Sequence, residues 1–198
     1  MRNPRPSVFL DRDGVINRKM PSGRYVTRPE ELILLPGAAE AIGALKRAGC
    51  RVIVVTNQRG VARGLMTLED LERIHALLRQ QIVATTGQDL DAIYACPHEE
   101  GACDCRKPQV GMFLQAQRDF PDIDFSRSVL VSDSLKDLEA GARLGCSNVL
   151  VIPEEEKKQF PHPAWPAHLP IHALISSLQA GVPQLLSLLS CASKSRTP

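Results

Sequence analysis

An α/β protein built on a doubly wound, Rossmann-like parallel sheet is what this sequence predicts, on three observations. Short apolar runs recur at Val8-Phe9-Leu10, Val52-Ile53-Val54-Val55, Val129-Leu130-Val131 and Asn148 to Ile152; runs apolar on both faces suit strands covered on two sides, as parallel sheets are. Between them lie segments with helical spacing of apolar residues, and alternation of strand and helix builds such sheets. Three of the runs end in polar residues, namely Asp11, Thr56 and Asp133. Ligand sites in open α/β sheets form at these carboxyl ends.

Val8 to Leu10 is the first buried strand, and Gly14 lets the chain leave it sharply. The polar loop from Arg18 to Pro36 is long for a connector, so a short flap or a small β-insert is expected after the first strand. Ala38 to Ala48 reads as a helix, with Ala41, Ile42 and Leu45 on one side and Gly49 as its stop signal. Val52 to Val55 is the second strand. Thr67 to Gln81 is an amphipathic helix: Thr67 and Asp70 suit its N-cap region, and Leu68, Leu71, Ile74 and Leu78 mark its apolar face. Ala92 to Ala95 is expected as a strand, Met112 to Arg118 as a helix and Val129 to Val131 as a strand. Leu138 to Leu144 follows as a helix ended by Gly145, and Asn148 to Ile152 as the last strand.

Beyond residue 152 the texture changes: seven of the 15 prolines fall there, and the final eight residues are small or polar. Residues 1–152 therefore read as the domain and 153–198 as a proline-rich tail with a helical segment, wrapped on the surface. Within it Ile171, Leu174, Ile175 and Leu178 keep helical spacing, which Val182, Leu185, Leu186 and Leu189 repeat. A helix covering the core is expected, with a dimer face as the alternative.

Composition narrows the function classes. A formal net charge of +2 over 198 residues leaves no electrostatic footprint for nucleic acid, and 4% aromatic residues offer little stacking surface for single strands. No apolar run has signal-peptide or transmembrane length, so a cytoplasmic protein with no membrane partner, working as a monomer, is expected. Of the six cysteines, Cys50, Cys146 and Cys191 are scattered and read as buried or incidental thiols.

The chemistry gathers at the strand ends. Asp11 and Asp13 are two residues apart, so in extended chain both lean toward one pocket. Thr56-Asn57-Gln58 offers a hydroxyl and an amide to phosphoryl oxygens, where capping would be the plain alternative. Arg106-Lys107 supplies adjacent cations, of which Lys107 suits a transferring phosphoryl group; surface salt bridging is the competing reading. Asp133 and Asp137, one helical turn apart, complete a group of four acids at one sheet edge. Such a cluster needs a cation, and hard oxygen ligands point to magnesium.

In order and position, Asp11-x-Asp13-Gly14-Val15-Ile16-Asn17, Thr56-Asn57-Gln58, Cys105-Arg106-Lys107-Pro108 and Asp133-x-x-x-Asp137 resemble the four motifs of the haloacid dehalogenase superfamily of phosphatases. Tyr25-Val26, Pro29-Glu30-Glu31-Leu32, Leu35-Pro36-Gly37, Gly60 to Gly64 and Cys96-Pro97-His98 are similar to its histidinol-phosphatase-related branch. The resemblance implies that Asp11 is the nucleophile forming an aspartyl phosphate, and that Asp13 protonates the leaving alcohol and then activates water. It implies magnesium on Asp11, Asp13 and Asp133 with Asp137 behind them, phosphate binding by Thr56, Asn57 and Lys107, and a substrate contact from Arg106. The expected substrate is a phosphorylated small molecule, namely the C7 phosphate of D-glycero-D-manno-heptose 1,7-bisphosphate. Arg59 and Arg63 are further candidate contacts for its second phosphate. Histidinol phosphate is the alternative, followed by a nucleic-acid 3'-phosphatase and a non-catalytic phosphate-binding protein.

Ser132 stands where the branch usually has glycine, so crowding of the magnesium loop is expected. Arg59 replaces a common serine, and Gln109-Val110 a more usual pair before Gly111. Separately, Cys96-x-His98-x4-Cys103-x-Cys105 offers three thiolates and an imidazole, a full tetrahedral shell for structural zinc. Zinc there would fold the loop 96–105 and fix the adjoining Arg106 and Lys107. His75, His162, His168 and His172 read as packing or surface residues.

Overall fold

The computed structural model of the chain describes residues 5–156, 166 and 169–194, the last four by their helical backbone alone. Ser7–Leu10 (β1), Arg51–Asn57 (β2), Ala92–Cys96 (β3), Ser128–Ser132 (β4), Ser147–Val151 (β5) and Ala173–Ile175 (β6) form one sheet. Its order is β3-β2-β1-β4-β5-β6, and every pairing is parallel. The chain thus winds outward from β1 in both directions, so β1 and β4 flank the point where strand order reverses. That crevice is where such sheets bind ligands.

The side-chain period of two divides the core. Val8, Leu10, Val52, Val54, Val129 and Val131 pack on one face with Ala38–Arg47 (α1), Leu68–Thr86 (α2) and Leu178–Lys194 (α5). Phe9, Ile53, Val55, Leu130 and Leu150 pack on the other with Gly111–Asp119 (α3) and Leu135–Leu144 (α4). Both layers are present, as a doubly wound sheet requires.

The expected elements are found, with differences at their ends and in the tail. Helix α2 opens on a capping box in which Thr67 accepts from the Asp70 N–H and Asp70 accepts from the Thr67 N–H. It runs five residues beyond Gln81, because Ile82 continues the buried stripe and the stop comes only at Gly87. Leu68 does not belong to that stripe: it is 56% exposed at the first turn. The loop 18–36 is a flap rather than a β-insert, holding one 3-10 turn at Pro29–Glu31 and tied down by the Asn17↔Leu34 bridge.

The tail departs most. The segment 171–177 is not helical; Ala173–Ile175 pairs in parallel with Val149–Val151 as edge strand β6, and the helix starts only at Leu178. Short apolar runs fit either periodicity, and an open edge on β5 settled the choice. Helix α5 covers the core as expected, burying Leu178, Leu185 and Leu189 against the α1 side. His172 is no bystander, since its Nδ1 accepts from the Asn148 N–H at 3.0 Å. Cys50 and Cys146 are buried free thiols, while His162, His168 and the Cys191 side chain lie outside the described residues. Among the described residues no helix is long and apolar enough to cross a membrane.

Candidate active site

Asp11 leaves β1 directly beside β4, its N–H donating to the Val131 carbonyl at 2.9 Å. Its Oδ1 accepts from the Arg12 N–H at 2.7 Å. Gly14 follows with φ +84°, and a Cβ there would lie 2.2 Å from Asp133 Oδ2. Glycine is therefore needed twice, for the left-handed backbone and to let the β4 carboxylate close on the β1 loop. Asp133 comes off β4 and Asp137 sits in the first turn of α4, so the sheet does bring the four predicted acids together.

Lys107 neutralises two of them. Its side chain is fully buried, with Nζ 3.0 Å from Asp11 Oδ1 and 2.9 Å from Asp137 Oδ2. Burial works to lower its pKa, but the two carboxylates outweigh that and raise it. For Asp137 burial works upward, and the Lys107 charge and hydrogen bond pull the carboxyl down instead. Asp11 fares differently: burial, helped by Asp137, Asp133 and Asp13 and opposed by Lys107, pushes it up to about 7. One ammonium does not satisfy this cluster. A second lies on it, Lys19 Nζ, 2.6 Å from Asp133 Oδ2. Oxygen donors short of positive charge, with a lysine drawn onto one of them, fit a hard divalent cation such as magnesium.

Asp13 is held by a shell that sequence reasoning missed. Arg12, with no exposed surface at all, donates to both its oxygens from Nη2 at 3.0 Å. Asn17 Nδ2 donates to Oδ1 at 2.9 Å and Gln58 Nε2 to Oδ2 at 2.8 Å. Burial alone would raise this carboxyl, but the Arg12 charge and these hydrogen bonds bring it below the usual range. His75 stands behind Arg12, with Nε2 3.3 Å from Nη1. Burial and the Arg12 charge push its pKa down to about 3, so the ring is neutral, and since a guanidinium only donates, Nε2 accepts. His75 is thus more than the packing or surface residue expected of it. Only the alternation of Arg12 with Asp11 and Asp13 hinted that its side chain points away from the pocket.

The cavity over the acids has a volume of about 310 Å³ and is lined by Asp11, Asp13, Thr56, Asn57, Arg106, Asp133 and Asp137, and by flap residues 19–26. Thr56 Oγ1 accepts from Gln58 Nε2 at 2.8 Å, which leaves its own hydrogen free to donate into the cavity. Asn57, which also lines the cavity, has its side chain engaged with the Lys107 backbone: Nδ2 donates to the Lys107 carbonyl at 3.1 Å, and Oδ1 accepts the Lys107 N–H at 3.0 Å. It clamps the backbone that carries Lys107. Ser132 turns its Oγ toward Asp11 Oδ2 at 3.4 Å and accepts the Ser134 N–H at 3.2 Å. Arg59 and Arg63 do not line the cavity; both pair with Glu99, at 3.5 and 3.3 Å.

At the edge of the same site, Cys96, His98, Cys103 and Cys105 place their four donor atoms within 4.8 Å of one another. Cys105 Sγ lies 3.2 Å from Cys96 Sγ and 3.1 Å from Cys103 Sγ, and His98 Nδ1 lies 3.3 Å from Cys105 Sγ. Three thiols and one imidazole closing on a common point are the donor set of a structural zinc site.

Comparison with known proteins gives a consistent picture. The model of the haloacid dehalogenase-like hydrolases matches residues 6–145. D-glycero-β-D-manno-heptose-1,7-bisphosphate 7-phosphatase of Bordetella bronchiseptica is 42% identical over 145 residues, covering 73% of this chain and 79% of that protein. D-glycero-α-D-manno-heptose-1,7-bisphosphate 7-phosphatase of Mycobacterium bovis is 42% identical over 150 residues, with coverage of 73% and 78%. A crystal structure of D,D-heptose 1,7-bisphosphate phosphatase from B. bronchiseptica, complexed with magnesium and phosphate, superposes with a TM-score of 0.79 at 37% identity, over 91% of this chain and 98% of that one. With its motifs gathered at the strand-order reversal of the sheet and its family model spanning most of the length, the chain belongs to the haloacid dehalogenase-like hydrolases.

Proposed function

We propose that this protein is a magnesium-dependent phosphatase that removes the C7 phosphate of D-glycero-D-manno-heptose 1,7-bisphosphate through an aspartyl phosphate on Asp11. The observation that carries the chemistry is Lys107, buried between Asp11 and Asp137 beneath a cavity that also receives Thr56 and Arg106. The substrate class is the D-glycero-D-manno-heptose 1,7-bisphosphate for which the named relatives are called 7-phosphatases, the β anomer for one and the α anomer for the other. Cysteines without disulfide partners among the described residues support a cytoplasmic protein, and a net charge of +2 supports a small-molecule substrate rather than nucleic acid.

In the first step an Asp11 carboxylate oxygen attacks phosphorus and the bond to the sugar oxygen breaks, with Lys107 holding the nucleophile in place. The leaving alkoxide takes a proton from Asp13. In the resting site Asp13 is held ionised by Arg12, Asn17 and Gln58; a phosphate dianion beside it raises its proton affinity. In the second step Asp13 removes a proton from water, which attacks phosphorus and frees both inorganic phosphate and Asp11. Thr56 donates its hydroxyl hydrogen to a phosphoryl oxygen, and Arg106 meets the rest of the substrate. Magnesium would be held by Asp11, Asp13 and Asp133 with Asp137 behind them, and would supply charge that offsets the developing negative phosphoryl oxygens.

A panel of phosphate esters tests this reading. Heptose 1,7-bisphosphate is expected to give a higher kcat/KM than histidinol phosphate or p-nitrophenyl phosphate, and a preference for histidinol phosphate would overturn the substrate. EDTA is expected to stop turnover, and added magnesium to restore it. Asp13→Asn is expected to lower kcat by about two to four orders of magnitude, the usual contribution of a positioned general acid-base. A tenfold loss or less, measured by phosphate release, would remove that role.

A further inference from the structure

We propose that Arg24, carried on the flap, is a specificity-determining residue that joins Arg106 in holding the substrate's second phosphate, the one that is not cleaved. This rests on the sugar-bisphosphate reading above and adds a residue to it.

The charges around the cavity divide into two sets. Lys107 lies between Asp11 and Asp137, Lys19 lies on Asp133 and Arg12 on Asp13, so each of these cations belongs to the acid cluster. Arg59 and Arg63 share Glu99. That leaves two guanidinium groups lining the cavity, Arg24 and Arg106, and among the described residues neither forms an ion pair with a carboxylate. Arg106 also keeps Nη1 buried with no hydrogen-bond partner. A buried donor of this kind calls for an acceptor, and a guanidinium fork is suited to phosphate oxygens.

Arg24 is placed by local geometry. Its N–H donates to the Pro21 carbonyl at 2.9 Å, and Gly23 has φ +82°. This is a type II turn with glycine at the position that demands positive φ. The turn sets Arg24 among flap residues that line the cavity, while Arg106 comes from the segment adjoining Cys105. A monoester bound at Thr56 and Lys107 leaves Arg24 without an anionic partner and Arg106 with only the longer-range attraction of Glu100, whereas a bisphosphate supplies an anion to both. Exposed to solvent on its own, Arg24 would contribute little; sharing one phosphate with the half-buried Arg106 makes its charge count.

Steady-state kinetics of the full chain with heptose 1,7-bisphosphate and heptose 7-phosphate test the assignment. Arg24→Gln is expected to lower kcat/KM for the bisphosphate by about tenfold or more, mainly through KM, as for loss of a charge-assisted hydrogen bond. The loss with the 7-phosphate should be clearly smaller, so the ratio of the two substrates falls. Arg24→Lys, which keeps the charge and loses the fork, should recover part of the ratio. Equal losses on both substrates would place Arg24 on the transferred phosphate, and no loss on either would make it a solvated side chain; each overturns the proposal. If the unaltered protein itself fails to prefer the bisphosphate over the 7-phosphate and p-nitrophenyl phosphate, the substrate reading fails instead.

Discussion

Asp11→Asn is expected to abolish turnover, lowering kcat by roughly four orders of magnitude or more, because an amide cannot take up the phosphoryl group as an acyl phosphate. The fold should survive. Asp11 is a buried carboxyl whose pKa is pushed up to about 7 by that burial, so its charged form is ill at ease in the free protein. Replacing it with a neutral isostere relieves that strain and leaves Lys107 paired with Asp137 at 2.9 Å. The melting temperature should therefore be equal or higher, the usual exchange of stability for activity at a catalytic position. Acid-quenched protein should carry labelled phosphate when Asp11 is present and none in the variant. Turnover within tenfold of the unaltered protein would sink the nucleophile assignment.

Removal of the zinc shell is expected to affect both folding and turnover. Elemental analysis should find one zinc per chain, and Cys103→Ser combined with Cys105→Ser should abolish it, since two of the four ligands are lost. Closed four-ligand sites contribute folding energy rather than chemistry, so the loss should appear as rapid hydrogen exchange in residues 96–105. Turnover should fall by about 10- to 100-fold, as when groups supporting a site are removed. The loss stops short of the Asp11 effect because the Lys107 backbone is also clamped by Asn57. Zinc-free protein with full activity and unchanged exchange would contradict the role.

Much of the site is legible in the sequence because its donors occur in short, ordered clusters. Asp11 and Asp13, Arg106 and Lys107, Asp133 and Asp137, and the cysteine loop each lie within a few residues, and strand ends bring such clusters to one edge of the sheet. The functional assignments of Asn57, Arg59 and Arg63 were less secure. Type and position marked all three as candidate anion contacts, but not that the Asn57 side chain also clamps the Lys107 backbone at the cavity, nor that the two arginines meet Glu99 outside it. A side chain's partner depends on which groups the fold brings within about 3 Å, and spacing along the chain does not encode that.

The sequence by itself determined the kind of protein this is. Runs apolar on both faces required a sheet covered by helices on both sides, and the residues at the ends of those runs determined the chemistry at its edge. Tertiary structure decided which charge answers which: Lys107 reaches Asp11 across 96 positions, and Lys19 reaches Asp133 across 114. It also decided that Arg12 is wholly buried, against the habit of arginine, because Asp13 and a neutral His75 stand where the side chain ends. And it decided that 173–175 is a strand, where an open sheet edge offered hydrogen bonds that local periodicity does not register. Local patterns follow from the geometry of one segment, whereas pairing, burial of charge and edge completion depend on segments distant in sequence.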